Sequence, residues 1–161
     1  ASGLSLSDLA APADSVSVCF SKGLGAPVGS AIATSADQRP RALRLRRRLG
    51  GAMRQSGLLA AAASFALDHH LDDLAADHRR ARTLAIGLRD AGYGCDVDAV
   101  ETNVVVFDVP RDADAWMVDA TGLGVLLGAI GPRRIRAVTH RDLGDEDIAQ
   151  AIERLSSLAT S

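Results

Sequence analysis

The stretch SVCFSKGLGAPVGS, residues 17–30, decides how this chain is read. Residues 16–20 alternate apolar and small side chains, the pattern of a short buried strand. Gly23, Gly25, Pro27 and Gly29 then crowd into a few positions and predict a tight loop. A second strand is expected over residues 30–34. This order puts Lys22 at the end of a strand. The strand fixes the direction of its Cβ, and the glycines behind it let a ligand come close to the backbone.

Lys22 is the only lysine; every other member of the 18 Lys and Arg residues is arginine. On a solvated face the two residues are near-interchangeable. They differ where a primary amine must lose its proton and attack a carbonyl, because a guanidinium stays charged. The contrast points to covalent chemistry at Lys22, as a Schiff-base lysine, against the plainer reading of an exposed loop lysine. A phosphate loop is excluded by order: such a loop ends in Gly-Lys-Ser/Thr at a helix start, whereas here the lysine precedes the glycines.

Composition bounds the rest. The length, 161 residues, suits one domain of ordinary size. Hydrophobic residues make up 47% and aromatics only 3%, so the expected core is Ala, Leu and Val. A formal charge of −2 gives no general pull toward nucleic acid or anionic lipid. The longest apolar run, residues 58–67, is too short to span a bilayer. Cys19 and Cys95 show neither metal-ligand spacing nor a disulfide framework, which points to reduced thiols and a cytoplasmic protein. The amino terminus lacks an initiator Met and the basic start of a signal peptide, and reads as a chain entered midway.

Outward from the central stretch, SLSDLAAPAD at residues 5–14 predicts a short helix capped by Ser7 or Asp8. A basic helix is expected over 37–49, broken at Gly50-Gly51, and a long helix from Met53 to about Ala91, stopped by AGYG. The texture then changes. NVVVFDV at 103–109 is a β-branched run bounded by Pro110 and predicts a strand. A helix over 112–121, strands over 125–127 and 135–139, and a helix over 145–158 follow. The order βαββα predicts a small α/β subdomain with helices on one face of a sheet.

Other residues weigh less. The run Arg44, Arg46, Arg47, Arg48 has the character of a solvated helix face. His69, His70 and His78 fall on the long helix without a carboxylate or thiol set to complete a metal site, so capping and surface roles are expected and no metal. His140 is read as a structural hydrogen-bonding residue. Arg136 on an otherwise apolar strand needs a carboxylate partner, because an unpaired buried charge is costly.

Four segments together carry a resemblance: DSVSVCFSKGLGAPVGS, RRRLGGAMRQSGLLAAAASFALDHH, TNVVVFDV and RIRAVTHRDLGDEDI. In this order, along nearly the whole chain, they resemble the threonine aldolase family. That family comprises fold-type I pyridoxal-phosphate enzymes, grouped with the aromatic amino acid β-eliminating lyases. The resemblance implies an α/β chain with two parts. Residues 1–95 would be a remnant of the cofactor-binding large domain, with the long helix as a bridge. Residues 96–161 would be the small carboxy-terminal α/β subdomain. Family members are about twice this length and carry an Asp-Gly-Ala-Arg motif upstream of the segment resembling ASGLSLSDLA. Its Asp pairs with the pyridine nitrogen of the cofactor.

The resemblance assigns roles by position. Lys22 would bind pyridoxal 5′-phosphate as the internal aldimine. Arg54, in GGAMRQ, falls in the motif that the family presents at a subunit interface toward the cofactor phosphate. Arg47 stands where relatives often have lysine and keeps the charge. Ala52 replaces a family glycine. Arg136 would hold the substrate α-carboxylate, with Arg134 on the same strand face as its rival. The implied activity is aldol cleavage of threonine or allo-threonine to glycine and acetaldehyde, in a homo-oligomer or with a missing amino-terminal half. A different β-eliminating lyase, and a truncated or split chain without a cofactor of its own, stay open as alternatives.

Overall fold

The structure is a computed structural model that describes residues 2–159. The chain divides into two compact units, residues 2–71 and the residues from 72 onward.

The first unit begins with helix α1 (Leu6–Ala10). Its cap is Ser5 rather than Ser7 or Asp8: the Ser5 hydroxyl accepts from the Asp8 amide at 3.1 Å, and the Asp8 carboxylate accepts from the Ser5 amide at 3.2 Å. Strands β1 (Ser15–Cys19) and β2 (Ser30–Thr34) pair antiparallel, Ser15 opposite Thr34 and Cys19 opposite Ser30. Helix α2 (Arg39–Arg48) carries Pro40 in its first turn and ends before Gly50, which takes a left-handed φ of +79°. Helix α3 (Gly57–His69) closes the unit. Only Leu24, Ala26, Ala63, Ala66 and His70 are buried in it. The strand before Lys22 is therefore not a buried one. A two-stranded ribbon shows water both faces and both edges unless further layers cover them.

The second unit holds helix α4 (Asp73–Asp90), strands β3 (Gly94–Cys95) and β4 (Val104–Asp108), helix α5 (Ala113–Gly122), strands β5 (Gly128–Gly131) and β6 (Arg134–Val138), and helix α6 (Asp145–Ser156). The sheet order is β3-β4-β6-β5, with every neighbouring pair antiparallel. Alternation decides the faces. Val105, Phe107, Ile135 and Ala137 point into the core, against Leu84 and Leu88 of α4, Trp116 of α5, and Ile148 and Leu155 of α6. The order βαββα after residue 100 matches the expectation, but the strand expected over 125–127 lies instead at Gly128–Gly131, because the apolar run before it carries no signal for where pairing with β6 begins.

The expected helix from Met53 to Ala91 is two helices. His70 ends α3 with its side chain buried, and α4 starts afresh at Asp73. Neither Gly nor Pro marks the break, so periodicity alone runs through it. Residues 53–56 are not helical, and Gln55 takes a left-handed φ of +52°. The core also corrects the aliphatic expectation. Tyr93, Phe107 and Trp116 pack edge-on with ring centroids 5.4–5.7 Å apart, so a few aromatics concentrate at its centre. Gly87 lets α4 and α6 approach: a Cβ there would lie 2.6 Å from Ile152 Cδ1. No helix among the described residues is long and apolar enough to cross a membrane.

Candidate active site

Lys22 stands on the loop that joins β1 to β2. The loop is built from backbone bonds: the Gly25 amide donates to the Lys22 carbonyl at 2.8 Å, Ala26 to Phe20 at 2.9 Å, and Phe20 to Gly29 at 3.0 Å. Gly25 and Gly29 supply the positive φ values, +66° and +113°, that such a compact loop requires. Leu24 and Ala26 turn inward and are buried, while Lys22 is exposed. Its amine makes no hydrogen bond or ion pair among the described residues. Beside it, hydrogen bonds to Ser21 hold the Cys19 thiol below its ordinary value, with the Lys22 charge adding to the effect.

His70, for which the sequence suggested only a capping or surface role, is buried here. Its Nδ1 lies 2.7 Å from the Leu24 carbonyl oxygen. A carbonyl only accepts, so the proton sits on Nδ1. The end of α3 thereby pins the loop two residues past Lys22. A histidine at a helix end signals capping; its partner, far away in sequence, carries no local signature.

Arg47 and Arg54 are exposed, and their guanidinium groups make no hydrogen bond or ion pair among the described residues. Arg46 behaves differently: its Nε donates to the Gly51 carbonyl at 2.8 Å and stitches the turn after α2. Ala52, where the resemblance implies a glycine, has no positive φ, so an alanine is accommodated there. The strained position is instead Gln55, next to Arg54.

In the second unit, Arg134 and Arg136 share one face of β6, as expected, but that face is open. Arg136 is exposed rather than buried, and the apolar character of the strand belongs to Ile135 and Ala137 on the opposite face. The two arginines differ in their neighbours. Asp108 is in register with Arg134, and the guanidinium donates to it twice, from Nε to Oδ1 at 2.8 Å and from Nη2 to Oδ2 at 2.9 Å. Val106 is in register with Arg136 and offers no acceptor. The Arg136 guanidinium makes no hydrogen bond or ion pair among the described residues. It is a guanidinium fork on an apolar strip of Val104, Val106 and Val138, suited to a carboxylate from elsewhere. Lys22, Arg47 and Arg54 belong to the first unit; Arg134 and Arg136 belong to the second.

The family model for beta-eliminating lyases matches residues 1–112. Low-specificity L-threonine aldolase 1 of Arabidopsis thaliana is 41% identical over 151 residues, covering 91% of this chain and 42% of that protein. The chain spans about two-fifths of the length of curated relatives such as these. Among solved structures, the serine palmitoyltransferase of Sphingomonas wittichii superposes with a TM-score of 0.73 at 22% identity, covering 95% of this chain and 41% of that one. A serine palmitoyltransferase structure with pyridoxal phosphate gives 0.67 at 20% identity, covering 91% and 40%. These likenesses show the fold, part of the fold-type I architecture.

Proposed function

We propose, for a chain that belongs to the beta-eliminating lyase family, that it carries the lysine-bearing part of a pyridoxal-phosphate site for β-hydroxy amino acids. The reaction is aldol cleavage of threonine or allo-threonine to glycine and acetaldehyde. One observation carries the reading: the sole lysine stands uncommitted on a glycine-built loop, in a chain similar to L-threonine aldolases.

The residues fit the cofactor by the chemistry of their donors. An aldehyde takes a primary amine, and Lys22 has one free. A phosphate dianion takes guanidinium groups, and Arg54 and Arg47 are unpaired among the described residues. Bound there, the cofactor supplies an electron sink for the charge that develops at the substrate Cα.

The chain's own residues bind and orient. Arg136 holds the α-carboxylate in a forked pair of hydrogen bonds, which fixes the orientation of the substrate about Cα. In the net reaction the Cα–Cβ bond breaks, the β-hydroxyl loses its proton, and Cα gains one. Lys22 Nζ, once neutral, is the group in this chain able to take and return a proton near that carbon.

Residues 1–95 serve in this reading as part of the cofactor domain and 96–161 as the small domain. Ile32, Leu49, Leu58 and Phe65, between 56% and 84% exposed, are apolar surface that favours assembly into an oligomer or with further chain. Free thiols at Cys19 and Cys95 keep with a cytoplasmic protein. Product analysis tests the reaction. Glycine and acetaldehyde from threonine support aldol cleavage. A 2-oxo acid and ammonia instead mark a β-elimination, the second reading that the family match favours.

A further inference from the structure

Arg134 and Arg136 stand one pleat repeat apart on the open face of β6, roughly 6–7 Å by strand geometry. Their cross-strand neighbours decide what each can do. Arg134 lies between Asp108 on β4 and Gly131 on β5; Arg136 lies between Val106 and Gly128. Only Arg134 meets an acceptor, and it meets it with both oxygens of the carboxylate. The hydrogen bonds from Arg134 hold the Asp108 carboxyl below the usual range. An exposed pair of this kind contributes little to stability. Its consequence is which guanidinium stays free.

We propose that Asp108 is a specificity-determining residue: by occupying Arg134 it leaves Arg136 as the single free guanidinium on this face of β6 among the described residues, so that the site takes amino acids with one carboxylate and rejects those with two. The proposal rests on the reading of Arg136 as the carboxylate clamp. Without Asp108, two free guanidinium forks would stand at a spacing that suits a four-carbon dicarboxylic amino acid such as aspartate or 3-hydroxyaspartate. The hollow beside Arg134, about 290 Å³, is also rimmed by Asp96, so two carboxylates oppose an anionic side chain there. Asp108 and Arg134 act here through occupancy and charge, not by touching reacting atoms.

The test uses the natural full-length protein with its cofactor and compares binding of glycine and L-aspartate. Asp108→Asn keeps the shape and removes the charge. It should improve binding of L-aspartate relative to glycine by about tenfold, the lower end for a charge-assisted pair, since Asp96 remains. Adding Arg134→Gln should abolish the gain. A second readout needs no cofactor: in Arg Nε–H NMR spectra, the Arg134 signal should respond to added L-aspartate in Asp108→Asn only. An unchanged preference in Asp108→Asn overturns the proposal. So does a gain that survives Arg134→Gln, which would assign it to the lost negative charge alone. Arg136→Gln separates the two levels. If it abolishes glycine binding while Asp108→Asn changes nothing, the clamp stands and the proposal falls. If glycine binding is indifferent to Arg136→Gln, both fall.

Discussion

His70 holds Leu24: the imidazole Nδ1–H donates to the Leu24 carbonyl oxygen at 2.7 Å, both residues are buried, and the bond closes the loop that presents Lys22. Removing the donor leaves a buried carbonyl unpaired, which costs about 1–3 kcal/mol. His70→Ala should therefore loosen the loop, seen as faster hydrogen exchange at the Phe20, Gly25 and Ala26 amides, with exchange in the β4–β6 ladder unchanged. His70→Asn, which keeps a donor, should lie between. Unaltered protection of those three amides in His70→Ala would show that the loop stands without the histidine.

The free guanidinium of Arg136 and the occupied one of Arg134 predict unequal effects on substrate. Arg136→Lys keeps the charge and loses the planar fork. A charge-assisted pair is worth roughly 1.5–3 kcal/mol, so KM for threonine should rise about ten- to a hundredfold. Arg134→Lys should change it far less, because Asp108 already claims that side chain. A larger effect at 134 reverses the assignment.

Acid should erase what Asp108 contributes to stability. Its native carboxyl titrates below the usual value because it accepts hydrogen bonds from Arg134. A depressed native pKa stabilises the fold above the unfolded value, about pH 4, and that contribution is lost as pH falls through the lower native value. The stability difference between the natural protein and Asp108→Asn should be small, since both groups are exposed, and in urea unfolding should begin to fade near pH 4 and vanish once pH is below the lower native value. A difference that grows with acidity contradicts the sign.

Much of the second unit was legible because its strands and helices each carry a local pattern. Residues 103–109 and 135–139 read as strands and 145–158 as a helix, and each lies within two residues of its observed bounds. The short β3 escaped because two residues hold no periodicity. The break between α3 and α4 escaped because it depends on a buried contact from His70 to a loop far upstream. Arg136 was placed on its strand correctly but expected to be buried, since an apolar strand does not reveal which of its two faces is covered. The Asp108–Arg134 fork needed the register of β4 against β6, which tertiary pairing alone determines. The solitary status of Lys22, in contrast, is visible in composition, and the structure adds its exposure and its pinned loop.

The central claim is that Lys22 holds the cofactor covalently. The most direct measurement is borohydride reduction of the natural full-length protein loaded with pyridoxal phosphate, followed by digestion and mass spectrometry of the peptide containing residues 17–30. The account predicts the mass of one reduced cofactor on Lys22, absent in Lys22→Arg, whose guanidinium stays charged at working pH. A cofactor mass on another amine, with the Lys22 peptide unmodified, would contradict it.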